Sequence, residues 1–352
     1  MCPDWHATIT VMAISSDMPW RPIPLRISGA DFARAADALR AQTGPTVRRQ
    51  HVVSQVLLRR FAEPDANGGR VIRATSLQFD TSRLRGTAHC AYMNDWMPIF
   101  SQSLEKVWQT VEHRMNGVLN EVVDDQIDFD GSSAEVLRKV LALHFVRSYH
   151  MRVVVHRAAL EAFSELRASA VEQNRELVAA GFRSVVGRDP VDDRELRDLV
   201  DRVIDQHGLS ELELNYRIRT EDNFERVSEI IGSASIEILT PPGRREFLIG
   251  DAPVCGYRAG VKLLGPHEGL GLYGTEFFVM PLTPRHMLRI PARQESGFRQ
   301  VSGKVTDESN VRQIRNAYRE VFSRPSSGME SFIQRNRRAW TRRADIPQLS
   351  VR

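Results

Sequence analysis

Four polar residues with chemically useful side chains recur at four-residue spacing near the middle of the chain. They are His144, Ser148, Arg152 and His156. Residues four apart lie along one ridge of an α-helix, so these side chains share a side. An imidazole can transfer a proton, and a guanidinium group can hold an anion. The spacing therefore predicts a site that acts on a negatively charged ligand.

The residues around this ridge predict that it is buried. Leu137 and Leu141 precede it on roughly the same face, and segment 136–160 carries apolar residues on nearly every side. That pattern is typical of a helix inside a domain. A buried polar group without a hydrogen-bond partner is costly, so we expect partners from elsewhere in the chain.

The expected partners are a second polar set at helical spacing, His51, Gln55 and Arg59, and Asp251 at the end of a predicted strand. We predict that the catalytic residues are His51, His144, Arg152 and Asp251. We predict that the ligand-binding residues are Gln55, Arg59, Ser148 and His156. Together they would suit hydrolysis or transfer at a phosphate, with histidine as base or nucleophile and arginine stabilising negative charge.

Two alternatives to this catalytic site stay open. In the first, Asp251 pairs with Arg152 or Arg59 in a buried network that only fixes the fold of a non-catalytic interaction protein. In the second, a metal is held by residues of two helices, namely Glu105, Glu112, His113 and His144. No His-Glu-x-x-His, Cys-x-x-Cys or Asp-x-Asp spacing supports a metal site, so no metal ligand is assigned. The sequence identifies no cofactor.

Missing motifs exclude several enzyme classes. The sequence has no Gly-x-x-x-x-Gly-Lys-Ser/Thr loop and no Gly-x-Ser-x-Gly elbow, which argues against a P-loop nucleotide site and an α/β-hydrolase serine. The glycine-rich segment 265–274 is interpreted as a hairpin connection, with a mobile lid as the alternative. Three widely separated cysteines form no disulfide framework, as is typical of a reducing cytoplasm.

The composition is that of an ordinary globular protein with an unusual choice of cation. The net charge is +4, yet only four of the 48 basic residues are lysine. Guanidinium groups favour phosphate and carboxylate recognition, but codon bias in a GC-rich genome explains the excess as well. No apolar segment approaches the roughly 20 residues that span a bilayer, and segment 1–24 lacks the pattern of a secretory signal. We expect a cytoplasmic bacterial protein without membrane contact.

Hydrophobic periodicity predicts an α+β fold. Helices are expected at 48–62, at 101–123, over 310–322, and as one long helix from Ser132, where Ser132 to Glu135 has capping-box spacing, to about Arg183. Strands are expected at 70–74, 235–239, 246–249, 276–280 and 286–290. The expected architecture is a mixed or antiparallel sheet, built mainly from residues 234–291, packed on a long central helix with further helices.

The predicted domain organisation has three parts. Residues 1–46 form an N-terminal extension, and residues 47–323 form a single α+β domain. Within that domain, residues 172–233 are charged and helical in character and form a peripheral helical subdomain. Residues 324–352 form an Arg-rich C-terminal tail, for which a solvated terminus is favoured over a contact with nucleic acid.

Three separated stretches carry a resemblance to a known family. His51, Leu58, Arg59 and Phe61 match a His-x-x-Pro-x-x-x-Leu-Arg-x-Phe opening, with Ser54 in place of proline. Asp251 and Pro253 match a Thr-Ser-Asp-Asn-Pro-Val segment, with Gly250 and Ala252 as departures, and 281–284 is similar to Pro-Leu-Ser-Pro. The chain therefore resembles the bacterial domain-of-unknown-function family 4238. The resemblance implies a shared fold and a shared site but brings no activity.

These observations give one leading function hypothesis. The chain is expected to be an intracellular bacterial enzyme that acts on a phosphorylated small molecule or on nucleic acid, in a defence or toxin setting, through a buried His/Arg/Asp site. The competing hypothesis is the interaction protein whose polar network is structural.

Overall fold

The computed structural model describes residues 29–40, 49–79, 81–94, 96, 101–260 and 275–337. It confirms the α+β class. Most of the predicted N-terminal extension, the 265–274 segment and the end of the Arg-rich tail lie outside the described residues. Within those residues, no helix combines the length and apolar character needed to cross a membrane.

Eight α-helices are described in these ranges. In chain order they are α1 (Gly29–Arg40), α2 (Gln55–Arg60), α3 (Ser101–Val123), α4 (Ser132–Val146), α5 (Tyr149–Val186), α6 (Asp193–Ile231), α7 (Gly303–Asn316) and α8 (Glu330–Asn336). The chain divides into two compact units, and the boundaries between them fall inside α3, α5 and α6.

The first unit is helical and contains most of α5 and α6 together with α1. The two long helices pack through small and branched apolar residues, which are Ala170, Val171, Val178, Ala179, Phe182, Leu196, Leu199, Val200 and Ile204. Gly187, with a φ of +79°, follows the end of α5, as is common for the residue after a helix. The Asp192 carboxylate then accepts the backbone N–H groups of Arg194 and Glu195 and starts α6.

The second unit contains every strand that the structure describes. The strands are β1 (Arg49–His51), β2 (Glu63–Pro64), β3 (Arg70–Ser76), β4 (Ser82–Gly86), β5 (Tyr92–Asn94), β6 (Glu237–Thr240), β7 (Ile249–Gly250), β8 (Cys255–Tyr257), β9 (Phe277–Thr283), β10 (His286–Ile290), β11 (Gly297–Gln300) and β12 (Glu320–Ser323). They form a ribbon, β1 with β5, and two five-stranded sheets.

The two sheets differ in how their strands pair. The first has the order β2-β3-β12-β7, with β4 also pairing with β3, and is antiparallel. The second has the order β11-β6-β10-β9-β8 and is mixed, because β11 runs parallel to β6. The expected sheet at 234–291 corresponds in part to this second sheet, because β11 lies beyond that range and the expected strand at 246–249 overlaps β7 of the first sheet. Most of the first sheet was not predicted, since only segments 70–74 and 246–249 were expected to be strands there.

The expected single long helix from Ser132 is wrong. Helix α4 ends at Val146, and α5 begins at Tyr149. Ser148 explains the break, because its hydroxyl donates to the Phe145 carbonyl (2.7 Å) and accepts the Met151 backbone N–H (3.2 Å). A serine that bonds locally to the backbone competes with helical hydrogen bonds. A second irregularity occurs at Asn174, which has non-helical backbone angles inside α5.

The predicted start of this helix is also corrected. The residue at the N-cap of α4 is Gly131, and no side chain caps the helix there. The Ser133 hydroxyl donates instead to Glu121 on α3, and Glu135 forms an ion pair with Lys139.

The last predicted helix ends earlier than expected. Helix α7 stops at Asn316, and residues 320–323 form β12 between β3 and β7. The start of the Arg-rich tail is ordered as well, because α8 buries Ile333 against a cluster that includes Leu248 and Ile314.

Candidate functional site

His51 lies on the exposed ribbon of the second unit, where it faces an aromatic side chain. It pairs with Tyr92 across β1 and β5, and the two rings meet edge to face with centroids 6.3 Å apart. Arg49, two residues earlier, projects from the same face of β1 because side chains alternate along a strand. The guanidinium carbon of Arg49 lies 4.0 Å from the Tyr92 ring centroid. A half-buried imidazole and an exposed cation therefore share one surface.

Helix α2 completes this arrangement with two of the predicted residues. The Gln55 Nε2 and His51 Nε2 atoms lie 3.1 Å apart, and Arg59 Nη2 donates to Gln55 Oε1 at 3.3 Å. The predicted helix at 48–62 is wrong at its start, because β1 occupies Arg49–His51 and α2 begins only at Gln55. His51, Gln55 and Arg59 nevertheless form a continuous hydrogen-bonded row from the strand to the helix. It is the part of the predicted site that the structure brings together.

The partners of His51 define its tautomer. The Gln55 amide nitrogen can only donate, and the Gln55 oxygen accepts from Arg59, so His51 Nε2 is the acceptor and Nδ1 carries the proton of the neutral ring. The Ala88 carbonyl acts to raise the pKa of the imidazole. Burial, followed by the nearby Arg147 charge, lowers the pKa of His51 below its ordinary value of 6.5. His51 is therefore a neutral base at pH 7.

Arg147 organises the charges beside His51. It is buried, its Nη1 donates to Glu112 Oε1 at 2.9 Å, and its guanidinium carbon lies 4.4 Å from the Trp108 ring. Glu105 is held through Gln50, whose Nε2 donates to Glu105 Oε1 at 3.4 Å. Burial raises the pKa of Glu105, although the Arg147 charge opposes that shift. The cluster thus combines a neutral imidazole with a carboxyl group that keeps its proton to higher pH than usual.

His144 is fully buried, and both of its ring nitrogens are engaged. Nδ1 lies 2.8 Å from the Val140 carbonyl, and Nε2 accepts the backbone N–H of Ser54 at 3.1 Å. Burial lowers the pKa of His144 to about 4. Since Ser54 also caps α2, by accepting the Val56 N–H, the imidazole connects α4 to the start of the helix that carries Gln55 and Arg59.

Asp251 binds backbone groups. Its Oδ1 accepts the N–H of Tyr318 (2.7 Å), and its Oδ2 accepts the N–H groups of Arg319 (2.8 Å) and Glu320 (3.2 Å). These three bonds hold the chain in the turn that leads into β12. Sequence reasoning expected Asp251 to orient a histidine or bind an arginine, and the structure gives it this anchoring contact.

Arg152 and His156 belong to the helical unit. Arg152 Nη2 donates to Glu213 Oε1 at 2.6 Å, and its guanidinium carbon lies 5.2 Å from the Tyr216 ring. Burial raises the pKa of Glu213, and the Arg152 charge opposes this. His156 is buried, and neither ring nitrogen has a hydrogen-bond partner among the described residues. Burial and then the Arg152 charge lower the pKa of His156.

The predicted ridge from His144 to His156 is therefore distributed over two helices. His144 lies in α4, Ser148 lies in the break, and Arg152 and His156 lie in α5. His144 and Ser148 lie in the second unit with His51 and Asp251, whereas Arg152 and His156 lie in the first.

Sequence reasoning missed two sets of polar residues. Arg147 lies one position before the predicted ridge, and its pairing with Glu112 could not be identified without the crossing of α3 and α4. The other set consists of amides on one face of α7, which are Asn310, Gln313 and Asn316. Their spacing of three residues was an available signal, because it places them on one side of a helix. No group of three or more His, Cys, Asp or Glu within the described ranges could hold a metal ion.

Comparison with known proteins agrees with the resemblance carried by 51–61 and 251–253. No curated protein and no solved structure matches the chain at a significant level. The family model described as "Protein of unknown function (DUF4238)" matches residues 49–327. That range includes the His51 site, Asp251 and the amides of α7, and it is most of the chain, so the chain belongs to this family.

Proposed function

We propose that the chain is an enzyme that hydrolyses or transfers a phosphate ester at His51. The single observation that supports this is the neutral, half-buried imidazole whose Nε2 lone pair faces the site, with two exposed arginines beside it. Arg49 and Arg59 would hold the phosphate oxygens, as guanidinium groups do in bidentate pairs. The substrate is a phosphorylated small molecule or a nucleic acid.

In this proposal, the chemical role of His51 is that of a general base. Its Nε2 would take a proton from the water or hydroxyl that attacks phosphorus, and the Ala88 carbonyl would stabilise the protonated ring through the other nitrogen. Gln55 would exchange its bond to Nε2 for one to the attacking oxygen and so orient it. Burial, and then the Arg147 charge, would keep the imidazole neutral until substrate arrives.

The test is a comparison of hydrolysis rates on chromogenic phosphate mono- and diesters, nucleotides and single-stranded oligonucleotides. Loss of a general base costs about 10²- to 10⁴-fold in rate, so His51→Asn should lower kcat/KM by that range. The matched control is His89→Asn, an exposed histidine of the same unit. A His51→Asn protein as active as the unaltered protein would refute the proposal.

A second test concerns the two arginines that would bind the phosphate group of the substrate. Arg49→Gln and Arg59→Gln should each raise KM for a phosphate ester, because they remove a charge that meets the substrate in both ground and transition state. Arg83→Gln is the matched control, since Arg83 is also an exposed strand arginine of this unit.

A second candidate function is supported by the other predicted residues. His144, Asp251 and Arg152 each have an internal partner, which is what a non-catalytic interaction protein with a structural polar network would show. This candidate predicts that His51→Asn changes no activity, whereas Arg152→Ala lowers the melting temperature. The two candidates therefore differ in the outcome of the His51→Asn assay.

A further inference from the structure

A groove on the second unit lies among three helices. Its walls come from α3, α4 and the last two turns of α6, all within that unit, and it encloses about 270 Å³. This volume is close to the lower end of the range for small-molecule pockets. The groove is lined by none of the residues assigned to the His51 site, so it is a separate feature.

The floor of the groove is apolar. Val111, Val136 and Phe224 line it, and all three are buried in the core. Val107 continues this surface outward and is 36% exposed. An apolar body placed here would cover hydrocarbon that now contacts water, which is favourable.

Two cations and one carboxylate surround the apolar floor. Arg114 comes from α3 and Lys139 from α4, while Glu225 is the acidic residue. Lys139 Nζ lies 2.6 Å from Glu135 Oε1. Arg114 makes no hydrogen bond or ion pair within the part of the chain that the structure describes. The residues that line the groove therefore carry two positive charges and one negative charge, with Glu135 as the carboxylate beside Lys139, and the Arg114 donors are available to a ligand.

Ser228 also lines the groove. Its hydroxyl oxygen is buried and has no hydrogen-bond partner among the described residues, so only the rest of the residue contributes to the surface that a ligand would contact.

We propose that this groove binds a small anionic amphiphile, specifically a medium-chain carboxylate. The carboxylate would pair with Arg114, which can hold it by two parallel hydrogen bonds, and with Lys139. The alkyl chain would lie on Val111, Val136 and Phe224. A pocket that is mainly apolar with a few convergent polar groups is the usual form of such a site.

The experiment is a calorimetric titration of the full chain with decanoate and, separately, with 1-decanol. A charge-assisted hydrogen bond contributes enough that Arg114→Ala should weaken decanoate binding by roughly tenfold to a hundredfold. Lys139→Ala should weaken it as well, and Lys106→Ala should not, because Lys106 is an α3 cation outside the groove. The neutral alcohol should bind weakly and equally to all of these proteins.

A steric variant keeps the test decisive if charge changes alter folding. Ser228→Leu fills the groove and should remove decanoate binding while the circular dichroism and melting temperature stay unchanged. Three results would overturn the proposal. They are no saturable binding up to about 1 mM decanoate, binding that Arg114→Ala leaves unchanged, and equal affinity for decanoate and decanol, which would indicate partition onto any apolar surface.

Discussion

At the scale of single residues, His51 and His144 differ in how their ring nitrogens are engaged. His51 contacts Gln55 of α2, and His144 contacts Ser54 at the N-cap of that helix. His51 has a ring nitrogen that faces a replaceable amide on a half-buried surface, whereas both nitrogens of His144 are occupied inside the core. Only the first arrangement can exchange a proton with a ligand without local unfolding. The pKa values of both are lowered, yet the expected consequences differ, because under the proposed function the shift of His51 would affect activity, whereas that of His144 affects stability.

For His51, the lowered pKa predicts the pH dependence of activity. A general base works in its neutral form, and kcat/KM falls when the free enzyme becomes protonated. Since the pKa of His51 is lowered below 6.5 by burial and then by the Arg147 charge, the acid limb of kcat/KM should be centred below pH 6.5. A profile of kcat/KM between about pH 4 and 8 measures this. An acid limb centred at or above 6.5 would exclude His51 as the base.

The Arg49 charge supplies a control for this assignment. Arg49 also lowers the pKa of His51, so Arg49→Gln should move the acid limb to higher pH. Arg83→Gln should leave the limb in place, because Arg83 is not among the charges that shift His51.

For His144, the lowered pKa predicts a loss of stability in acid. Its pKa is about 4 in the folded chain and about 6.5 when unfolded, so the unfolded chain binds the extra proton first. The stabilising contribution is complete above pH 6.5 and is lost as pH falls toward 4, by about 3 kcal/mol. Urea unfolding at several pH values should therefore show a smaller pH dependence in His144→Gln than in the unaltered protein.

The exposed His113 provides the comparison for that experiment. His113→Gln should unfold with the same pH dependence as the unaltered protein. If His144→Gln retained the full acid loss, the buried imidazole would not be its source.

Ser54 explains why His144 can connect α4 to α2. The backbone N–H of Ser54 is the donor to His144 Nε2, and a proline, which the resembled motif has at this place, carries no N–H. Ser54→Pro would thus remove this bond even though proline suits the first turn of a helix. The departure from the motif and the buried histidine are physically linked in this chain.

At the scale of secondary-structure elements, α7 acts as a substitute for a neighbouring strand. Asn310 exchanges two hydrogen bonds with segment 246–248, and Gln313 accepts from Gly250 N–H and donates to the Pro253 carbonyl. Asn316 donates to the carbonyls of Ala252 and Val254. Three amides on one helix face therefore satisfy the backbone of an irregular segment that a sheet would otherwise pair.

Gly250 allows this helix to approach. A Cβ at position 250 would lie 3.0 Å from both the Ala317 Cβ and the Gln313 carbonyl oxygen, which is too close for an ordinary contact. The serine of the resembled motif does not fit here without a shift of α7 or β7.

The amide row predicts a large loss of stability on substitution. Gln313→Ala would leave the buried Gly250 N–H and Pro253 carbonyl without partners, and each unsatisfied buried group costs about 1 to 3 kcal/mol. Chemical denaturation should show a fall of roughly 2 to 4 kcal/mol in the free energy of unfolding. Glu308→Gln, an exposed change on the same helix, should stay within about 0.5 kcal/mol. Equal effects of the two changes would refute the role given to the amides.

The elements show which parts of the fold could be predicted from sequence. Periodicity identified α3 and β10 with their bounds, because their apolar pattern is uninterrupted. It missed the end of α7, since the extended chain after Asn316 depends on the Asp251 carboxylate, 67 to 69 residues away in sequence. The break at Ser148 was missed for a related reason. Serine is tolerated in helices, and only its local hydrogen bonds reveal that it ends one helix and starts another.

The candidate site likewise has one part that could be predicted from sequence and another that could not. The row of His51, Gln55 and Arg59 was predictable in part, because all three lie within nine residues, but the helical spacing relates only Gln55 and Arg59, which share α2, whereas His51 lies on β1. The neighbouring charges of Glu112 and Arg147 depend on the contact between α3 and the end of α4, which a single sequence does not contain. Convergence of distant residues was therefore the least predictable feature.

At the scale of the whole molecule, many of the arginines form ion pairs within the fold. Arg299 and Arg289 contact the buried Glu237, Arg324 contacts Glu246, and Arg188 holds Glu195 at the start of α6. Guanidinium groups suit such pairs because their donors form a fixed fork. These pairs account for part of the unusual composition, and other arginines, such as Arg49, Arg59, Arg83 and Arg114, are exposed.

The division into two compact units yields a prediction about where stability is lost. The buried Arg152–Glu213 pair lies wholly within the helical unit. Removing one partner of a buried ion pair costs about 3 to 5 kcal/mol, because the other charge is left without compensation. Arg152→Ala should therefore raise the hydrogen-exchange rate of amides in 152–223, measured by mass spectrometry, while β3 and β12 keep their protection.

Replacing both partners distinguishes a structural pair from a functional one. Arg152→Met with Glu213→Leu removes both buried charges and keeps apolar volume, so it should restore protection in 152–223 or exceed it, as is common for buried ion pairs. If the pair is only structural, this double variant will be folded and will keep the activity assigned to His51. If instead the double variant is folded but inactive, Arg152 takes part in function.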